Sequence, residues 1–304
     1  MLKIETNKSL ILTAQKIAQD NRRLCLVDDL SQVEFSVFSQ WGEDGIIDWL
    51  VSKLPMIPRV FVEFGVEDYR EANTRLLLQM RNWRGLVIDG SRKNIKNILN
   101  QAVTWRYQLT ARNEFITCEN INEILHHAGV SGQIGILSID IDGNDYWVWK
   151  AIDTVSPFVV VIEFNAVFGD IFPITVPYCP DFNRTKAHYS NLYFGASLPA
   201  LIALGSMKGY TFVGTTSAGV NAFFVRDDVA SYVVNSIRDI SAYPSLLREA
   251  RNPAGNLLYL NGDDRFAMIA DCHIVNLTTG QLSSLRQMGE VYSSQWKISE
   301  RIKL

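Results

Sequence analysis

Cysteine is scarce and scattered in this 304-residue chain: Cys25, Cys118, Cys179 and Cys272 stand far apart, with no C-x-x-C pair. That spacing excludes a zinc knuckle and a disulfide framework, and it reads as free thiols in a reducing compartment. No apolar run approaches the ~20 residues needed to span a bilayer. Basic charge is not in excess, since 29 Lys and Arg face 32 Asp and Glu for a formal net charge of -3. Non-specific binding to nucleic acid or to an anionic membrane is therefore not expected. A phosphate-cradling G-x-x-x-x-G-K-[ST] loop is missing, as are internal repeats and low-complexity runs. At the N-terminus Glu5-Thr6-Asn7-Lys8 interrupt any signal-peptide pattern, so a cytoplasmic protein is expected. What remains is 47% hydrophobic and 20% charged, the balance of a globular domain with ample core and not of a disordered chain.

The most organised stretch runs over 59–91. A Val- and Phe-rich run ends in Glu63 and Gly65, a polar loop carries Asp68 and Asn73, an amphipathic helix follows, and a second apolar run ends in Asp89-Gly90-Ser91. This is one β-α-β unit. Its Asp89 lies 26 positions after Glu63, near the spacing of about 20 at which a carboxylate holds ribose hydroxyls. Ahead of it, apolar positions at helical spacing predict a helix over 9–21. The segment Gln40-Trp41-Gly42-Glu43-Asp44 then precedes a second helix, capped by Asp44 or Ser39, and is placed to line the mouth of a site. Beyond Asp89 the pattern predicts a helix over 93–100, a strand near 104–110 and a helix over 121–128. Glu119 and Asn120 fall where a doubly wound sheet meets the base of a nucleotide. His126 and His127 are adjacent on a helix, point in different directions, and do not make a metal site.

A nearly continuous apolar strand over 135–141 then leads into Asp140, Asp142, Asn144 and Asp145. Buried parallel strands read this way. Three carboxylates within six residues repel one another unless something positive offsets them. One or two could cap a helix; a divalent cation or polar substrate accounts for the set better. The run over 157–165 repeats the pattern and ends in Glu163 and Asn165. Right-handed crossovers bring all such strand ends to one edge, so Glu63, Asp89, Asp140, Asp142, Glu163 and Asn165 should converge. A carboxylate lining suits a hydroxyl-rich or cationic ligand, or bound Mg²⁺, and not a phosphate-rich one.

A long proline- and aromatic-bearing segment over 168–191 reads as a cover for the site. It holds Tyr178, Arg184 and His188, with Tyr193 just after it, and His188 has the pKa range of a general base. A helix over 193–207 follows, and then two strand-like runs joined at Gly219 predict a terminal antiparallel hairpin. The tail gives helices over 230–238 and 244–251, a turn capped by Asp263 and Asp264, and a short strand over 273–277.

The expected fold is therefore α/β: a Rossmann-like, seven-stranded, mostly parallel sheet with a terminal antiparallel hairpin and helices on both faces. With this order of elements, the chain resembles the FkbM-like class I S-adenosylmethionine-dependent methyltransferases over about 35–228. The matching pieces are Phe61-Val62-Glu63-Phe64-Gly65, Gly85-Leu86-Val87-Ile88-Asp89, Leu137-Ser138-Ile139-Asp140-Ile141-Asp142-Gly143-Asn144-Asp145, the Glu163-Phe164-Asn165 strand end, and Asn221-Ala222-Phe223-Phe224-Val225-Arg226 in the hairpin. The resemblance implies methyl transfer from S-adenosylmethionine to a hydroxyl of a sugar, polysaccharide or natural product. It implies a cofactor site from Glu63, Gly65, Asp68, Asn73, Asp89, Ser91, Glu119, Asn120 and Asp140, with Gly65 under the methionine moiety and Asp89 on the ribose. Asp140, Asp142 and Glu163 would hold Mg²⁺ or Mn²⁺ if a metal assists, because an oxygen-only set does not suit zinc. His188 and Asp140 are the expected catalytic groups, and Asp145, Asn165, Tyr178, Arg184 and Tyr193 the expected acceptor contacts. Residues 1–58 read as a helical cap, 59–228 as the cofactor-binding core with its lid over 168–191, and 229–304 as an extension packed on the core. The expected partner is a small-molecule or glycan acceptor, with self-association of the extension left open.

One departure stands out: Val66-Glu67-Asp68-Tyr69 follows Gly65 where such families place a second glycine, and a bulkier first loop bears directly on the cofactor's fit. Two rival readings come from other classes. Asp140-Ile141-Asp142 is also a D-x-D pattern, as in nucleotide-sugar glycosyltransferases, and the altered loop suits a non-catalytic binding module.

Overall fold

The computed structural model describes residues 2–247 and 249–302. Five parallel strands come first: β1 (Val60–Phe64), β2 (Arg84–Asp89), β3 (Leu109–Asn113), β4 (Gly132–Ile139) and β5 (Val155–Glu163). After a two-residue β6 (Ile174–Thr175) the hairpin supplies β7 (Tyr210–Thr215) and β8 (Asn221–Arg226). The main sheet runs β3-β2-β1-β4-β5-β8-β7, and β8 alone runs against the other six strands, antiparallel to both β5 and β7. Two further strands, β9 (His273–Asn276) and β10 (Gln281–Ser284), build a second sheet with β6 in the order β10-β9-β6.

Side-chain alternation explains why both sheet faces are covered. Val62, Phe64, Val160, Ile162 and Phe224 belong to the core on one face, and Phe61, Val159, Val161, Phe223 and Val225 to the core on the other. Each of these is fully or almost fully buried, which stabilises the fold by roughly 2 kcal/mol per side chain before entropy is counted. The first of these cores also takes in Ile269, Ile274, Leu285, Tyr292 and Trp296 from the C-terminal extension. The pairing of β6 with β9 joins that extension to the segment over the site.

Four local expectations need correction. The chain is helical over Ala102–Arg106 and reaches the sheet only at Leu109; β-prone Thr104 and Trp105 are overridden by a turn that buries Val103 and leaves Trp105 exposed. The helix expected from 193 begins at Leu198. Ser197 caps it by accepting from the Ala200 N–H, and the residues before it run extended, with Val176 N–H donating to Gly195 O at 3.0 Å. The helix expected over 230–238 is Asp227–Val234. The described residues of 244–251 are not helical: Leu246 N–H donates to Ala218 O at 2.8 Å, and the Arg265 guanidinium donates to Leu247 O at 2.7 Å. Tertiary bonds to this stretch outweigh its modest helix propensity.

Candidate functional site

The C-terminal ends of β1, β2, β4 and β5 open onto one cavity of about 1050 Å³, which also takes in the start of antiparallel β8. That size reaches the upper end of the ~300–1,000 Å³ typical of ligand clefts. Glu63, Asp89, Asp140, Asp142 and Glu163 all line it.

The β1–β2 side is a closed hydrogen-bonded structure. The Glu63 carboxylate accepts from Asn73 N–H at 2.7 Å, Thr74 N–H at 3.1 Å and Thr74 Oγ1 at 2.5 Å, and so fixes the start of the helix Arg75–Arg81. Burial nonetheless pushes the Glu63 pKa up to about 7, against the lowering effect of those donors. Gly65 sits at φ +70°, and a Cβ there would lie 1.5 Å from the Asp140 carbonyl oxygen. Only glycine lets the β1 and β4 loops approach this closely. In the loop, Glu67 and Tyr69 take φ of 47° and 62°, the left-handed region that costs a non-glycine residue roughly 1 kcal/mol or more. The Arg75 guanidinium holds the loop by donating to Tyr69 O and, at 3.1 Å, to Gln101. Val66 and Tyr69 are both buried in the second core; Tyr69 stays out of the cavity, whereas Val66 lines it beside Gly65 and Glu67. Asp89 accepts from Ser91 N–H at 2.7 Å and Asn94 Nδ2 at 3.1 Å through one oxygen, Oδ1. Ser91 caps the helix Arg92–Leu99.

The β4–β5–β8 side is different. One oxygen each of Asp140, Asp142 and Glu163 lies within 4.8 Å of the others. Burial, then the neighbouring Asp142 and Asp145, raises the Asp140 pKa well above the usual range; burial, then Asp140, does the same for Glu163. Arg184 from the covering segment is the offsetting charge. Its Nη1 donates to Asp142 Oδ1 at 2.5 Å, its Nε to Asn191 O at 2.7 Å, and its guanidinium stacks 3.8 Å from the Phe194 ring centre. Three residues that line this cavity each keep a buried acceptor oxygen with no hydrogen-bond partner: Glu163 Oε2, Asn144 Oδ1 and Asn221 Oδ1. Such atoms are rare in native proteins and mark places where a donor or cation is missing. Together with the three clustered carboxylates they fit an oxygen-ligated divalent ion.

Several expected site residues are placed elsewhere. Asp145 is fully buried and spends both oxygens on Ile141 N–H at 2.8 Å and Gly143 N–H at 2.9 Å; it shapes the loop in which Asp142 adopts φ 57°. Asn165 bridges Leu192 O, Phe194 O and Val167 N–H and is likewise internal. Asn120 ties Thr117 N–H to Phe115 O, while Glu119 accepts from the Tyr178 hydroxyl. Tyr193 donates to His273 O. Asp68 pairs with Arg70 at 3.3 Å. His188 bonds Ser190 Oγ at 2.7 Å, its ring lies against Tyr189, and burial lowers its pKa. None of these lines the cavity. Their bonds within the protein hold these side chains in place away from the cavity.

The cavity instead takes in Glu114, Phe115 and Ile116 past β3, and Gln40, Trp41, Glu43 and Asn221 at the opposite end. With β3 ending at Asn113, the rule that ligands meet strand ends points to 114–116 and not 119–120; the strand misplaced over 104–110 hid that signal. Asn221 opens an antiparallel strand and is paired with Glu163 across β5 and β8, so a search for acids after parallel strands passes over it.

The order of strands and the cleft on this rim define a doubly wound, Rossmann-like α/β protein. No protein-family model matches the sequence, and no curated protein matches it. Among solved structures the chain is similar to an S-adenosylmethionine-dependent methyltransferase from Clostridium acetobutylicum (9% identity, 63% of this chain and 92% of that one, TM-score 0.40). It is also similar to an O-methyltransferase from Bacillus cereus in complex with SAH (13% identity, 71% and 89%, TM-score 0.40). A third is M. capricolum TrmK in complex with S-adenosylhomocysteine (10% identity, 58% and 65%, TM-score 0.32).

Proposed function

We propose that the protein is an S-adenosylmethionine-dependent O-methyltransferase of the FkbM-like kind, acting on a hydroxyl of a sugar, polysaccharide or natural product. One observation carries this reading: a seven-stranded sheet ending in an antiparallel hairpin leaves a cleft at its rim with Gly65 and Asp89 on one side and an unsatisfied carboxylate cluster on the other. Asp89 would take the ribose hydroxyls, and Phe115 and Ile116 would form an apolar wall for adenine; all three line the cavity. The acidic loop at Glu67 suits the cofactor's positive charge.

When bound, the cofactor supplies an activated methyl on a sulfonium. The chain's task is to align the acceptor oxygen with that methyl and to take one proton. Asp140 would take the acceptor's hydroxyl proton, while the cofactor held against the β1–β2 side would supply the methyl and be released without its positive charge. The fit of Asp140, Asp142 and Glu163 to a hard cation favours a second version in which they hold Mg²⁺ or Mn²⁺, which would lower the acceptor's pKa. The D-x-D alternative is disfavoured, because a diphosphate would face a rim of carboxylates relieved by one guanidinium among the described residues.

Calorimetry with S-adenosylhomocysteine tests the reading: we expect micromolar binding that Asp89→Ala weakens at least tenfold. No binding, with UDP-sugar bound instead, overturns it. Methylation of a sugar panel by labelled cofactor, with EDTA and with Mg²⁺ or Mn²⁺ restored, tests the metal version. A metal-dependent rise in melting temperature, lost in Glu163→Gln, reports the ion apart from activity.

A further inference from the structure

We infer that the corner of the cleft between β5 and β8 docks the ammonium group of an aminated acceptor, an amino sugar, through Glu163, Asn221 and Glu43. The inference rests on the methyltransferase reading and adds the charge class of the substrate.

The first support is an unmet demand for protons. Glu163 and Asn221 are direct partners in the β5–β8 register, so their side chains are neighbours on one face. Both are almost fully buried, at 6% and 5% exposure, and each keeps one oxygen, Oε2 and Oδ1, without a donor. The orientation of the Asn221 amide is fixed from its other end, where Nδ2 donates to Glu43 Oε1 at 2.9 Å. Glu43 is anchored in turn by the Trp41 N–H at 2.9 Å. Asn221 therefore cannot turn its amide to serve Glu163 without abandoning Glu43. An ammonium carries three protons and can serve both oxygens at once.

The second support is the sign of the surroundings. Among the described residues, ten carboxylates and one guanidinium line the cavity. A sulfonium cofactor and even a divalent ion would leave the carboxylates in excess, so a phosphorylated or uronic acceptor is repelled and a cationic one drawn in. Trp41 lines the same cavity, and an indole attracts a cation.

The test uses the full chain saturated with S-adenosylhomocysteine and measures binding of deacetylated chitotetraose, its N-acetylated counterpart, cellotetraose and glucose 6-phosphate, in EDTA. The expected result is at least tenfold preference for the aminated oligomer over the acetylated and plain ones, with no binding of the phosphate. Asn221→Leu should remove that preference while S-adenosylhomocysteine still binds; if the variant fails to fold, the ranking on the unmodified chain decides. Equal binding of all neutral and aminated probes, or no binding of the aminated one, overturns the inference while the cofactor result leaves the methyltransferase reading standing. Failure of S-adenosylhomocysteine to bind removes both. If Asn221→Leu weakens Mn²⁺ and leaves the sugar ranking intact, the two oxygens belong to a metal and the inference falls.

Discussion

The two halves of the cleft rim share a composition and differ in how their polar atoms are used. On the β1–β2 side, Glu63 and Asp89 accept bonds from Asn73, Thr74, Ser91 and Asn94. On the β4–β5–β8 side, Asp140, Asp142 and Glu163 crowd together, and three neighbouring acceptor oxygens find nothing. A carboxylate that receives several donors is part of the scaffold, since losing it strands each donor. A carboxylate crowded by its own kind destabilises the empty protein and is retained for what it binds. The same residue type thus builds the site in one half and works in the other.

The largest expected effect breaks the contact between the halves. Gly65→Ala puts a methyl on the Asp140 carbonyl at a φ that side chains resist, and it should cost more than about 4 kcal/mol. Chemical denaturation measures this, and a loss under 1 kcal/mol would mean that the two loops can separate. Next comes a pair that should move in opposite directions. Glu63→Ala leaves three buried donors and should lower stability by about 3 kcal/mol. Glu163→Gln removes a buried carboxyl crowded by Asp140 and should leave stability unchanged or raise it by about 1 kcal/mol, while cutting methyl transfer ~100-fold or more. Equal destabilisation by both would erase the distinction. A smaller effect is expected at Arg184, where Arg184→Gln removes the cation from Asp142. Because Asp142 is more than half exposed, the ion pair itself adds little; the lost bond to Asn191 O and stacking on Phe194 should cost about 1–2 kcal/mol, and affinity for Mn²⁺ should rise as a competing charge leaves.

Much of this was legible in the residues because strand alternation and strand-end acids are local signals. Glu63, Asp89, Asp140 and Glu163 each close an apolar run, and the sheet's topology carries them to one edge without further information. What escaped depends on contacts far apart in sequence. Asn165 and Asp145 look like ligands from their positions, yet backbone groups of 192–194 and 141–143 consume them. His188 has suitable chemistry, but Ser190 holds its ring away from the cavity. Asn221 has no distinguishing neighbour in sequence and reaches the cavity only through the pairing of β8 with β5, opposite Glu163.

The smallest expected effect separates burial from hydrogen bonding at Glu63. Burial raises its pKa from the ordinary 4.5 to about 7 in spite of its donors. A carboxylate whose folded pKa lies above its unfolded one favours the fold in its protonated form. Its contribution is therefore complete below about 4.5 and is lost as the pH rises through about 7. Asp140 and Glu163 are raised as well and act in the same direction, so the wild-type slope alone does not isolate Glu63. The difference between wild type and Glu63→Gln does, because the glutamine cannot titrate. Urea denaturation at pH 5 and pH 8 should show wild type losing on the order of 1 kcal/mol more than the variant over that interval. Parallel lines would mean that the Asn73 and Thr74 donors hold Glu63 ionised throughout. The β1–β2 half would then be a fully charged scaffold, and its contrast with the neighbouring cluster would rest on hydrogen bonding alone.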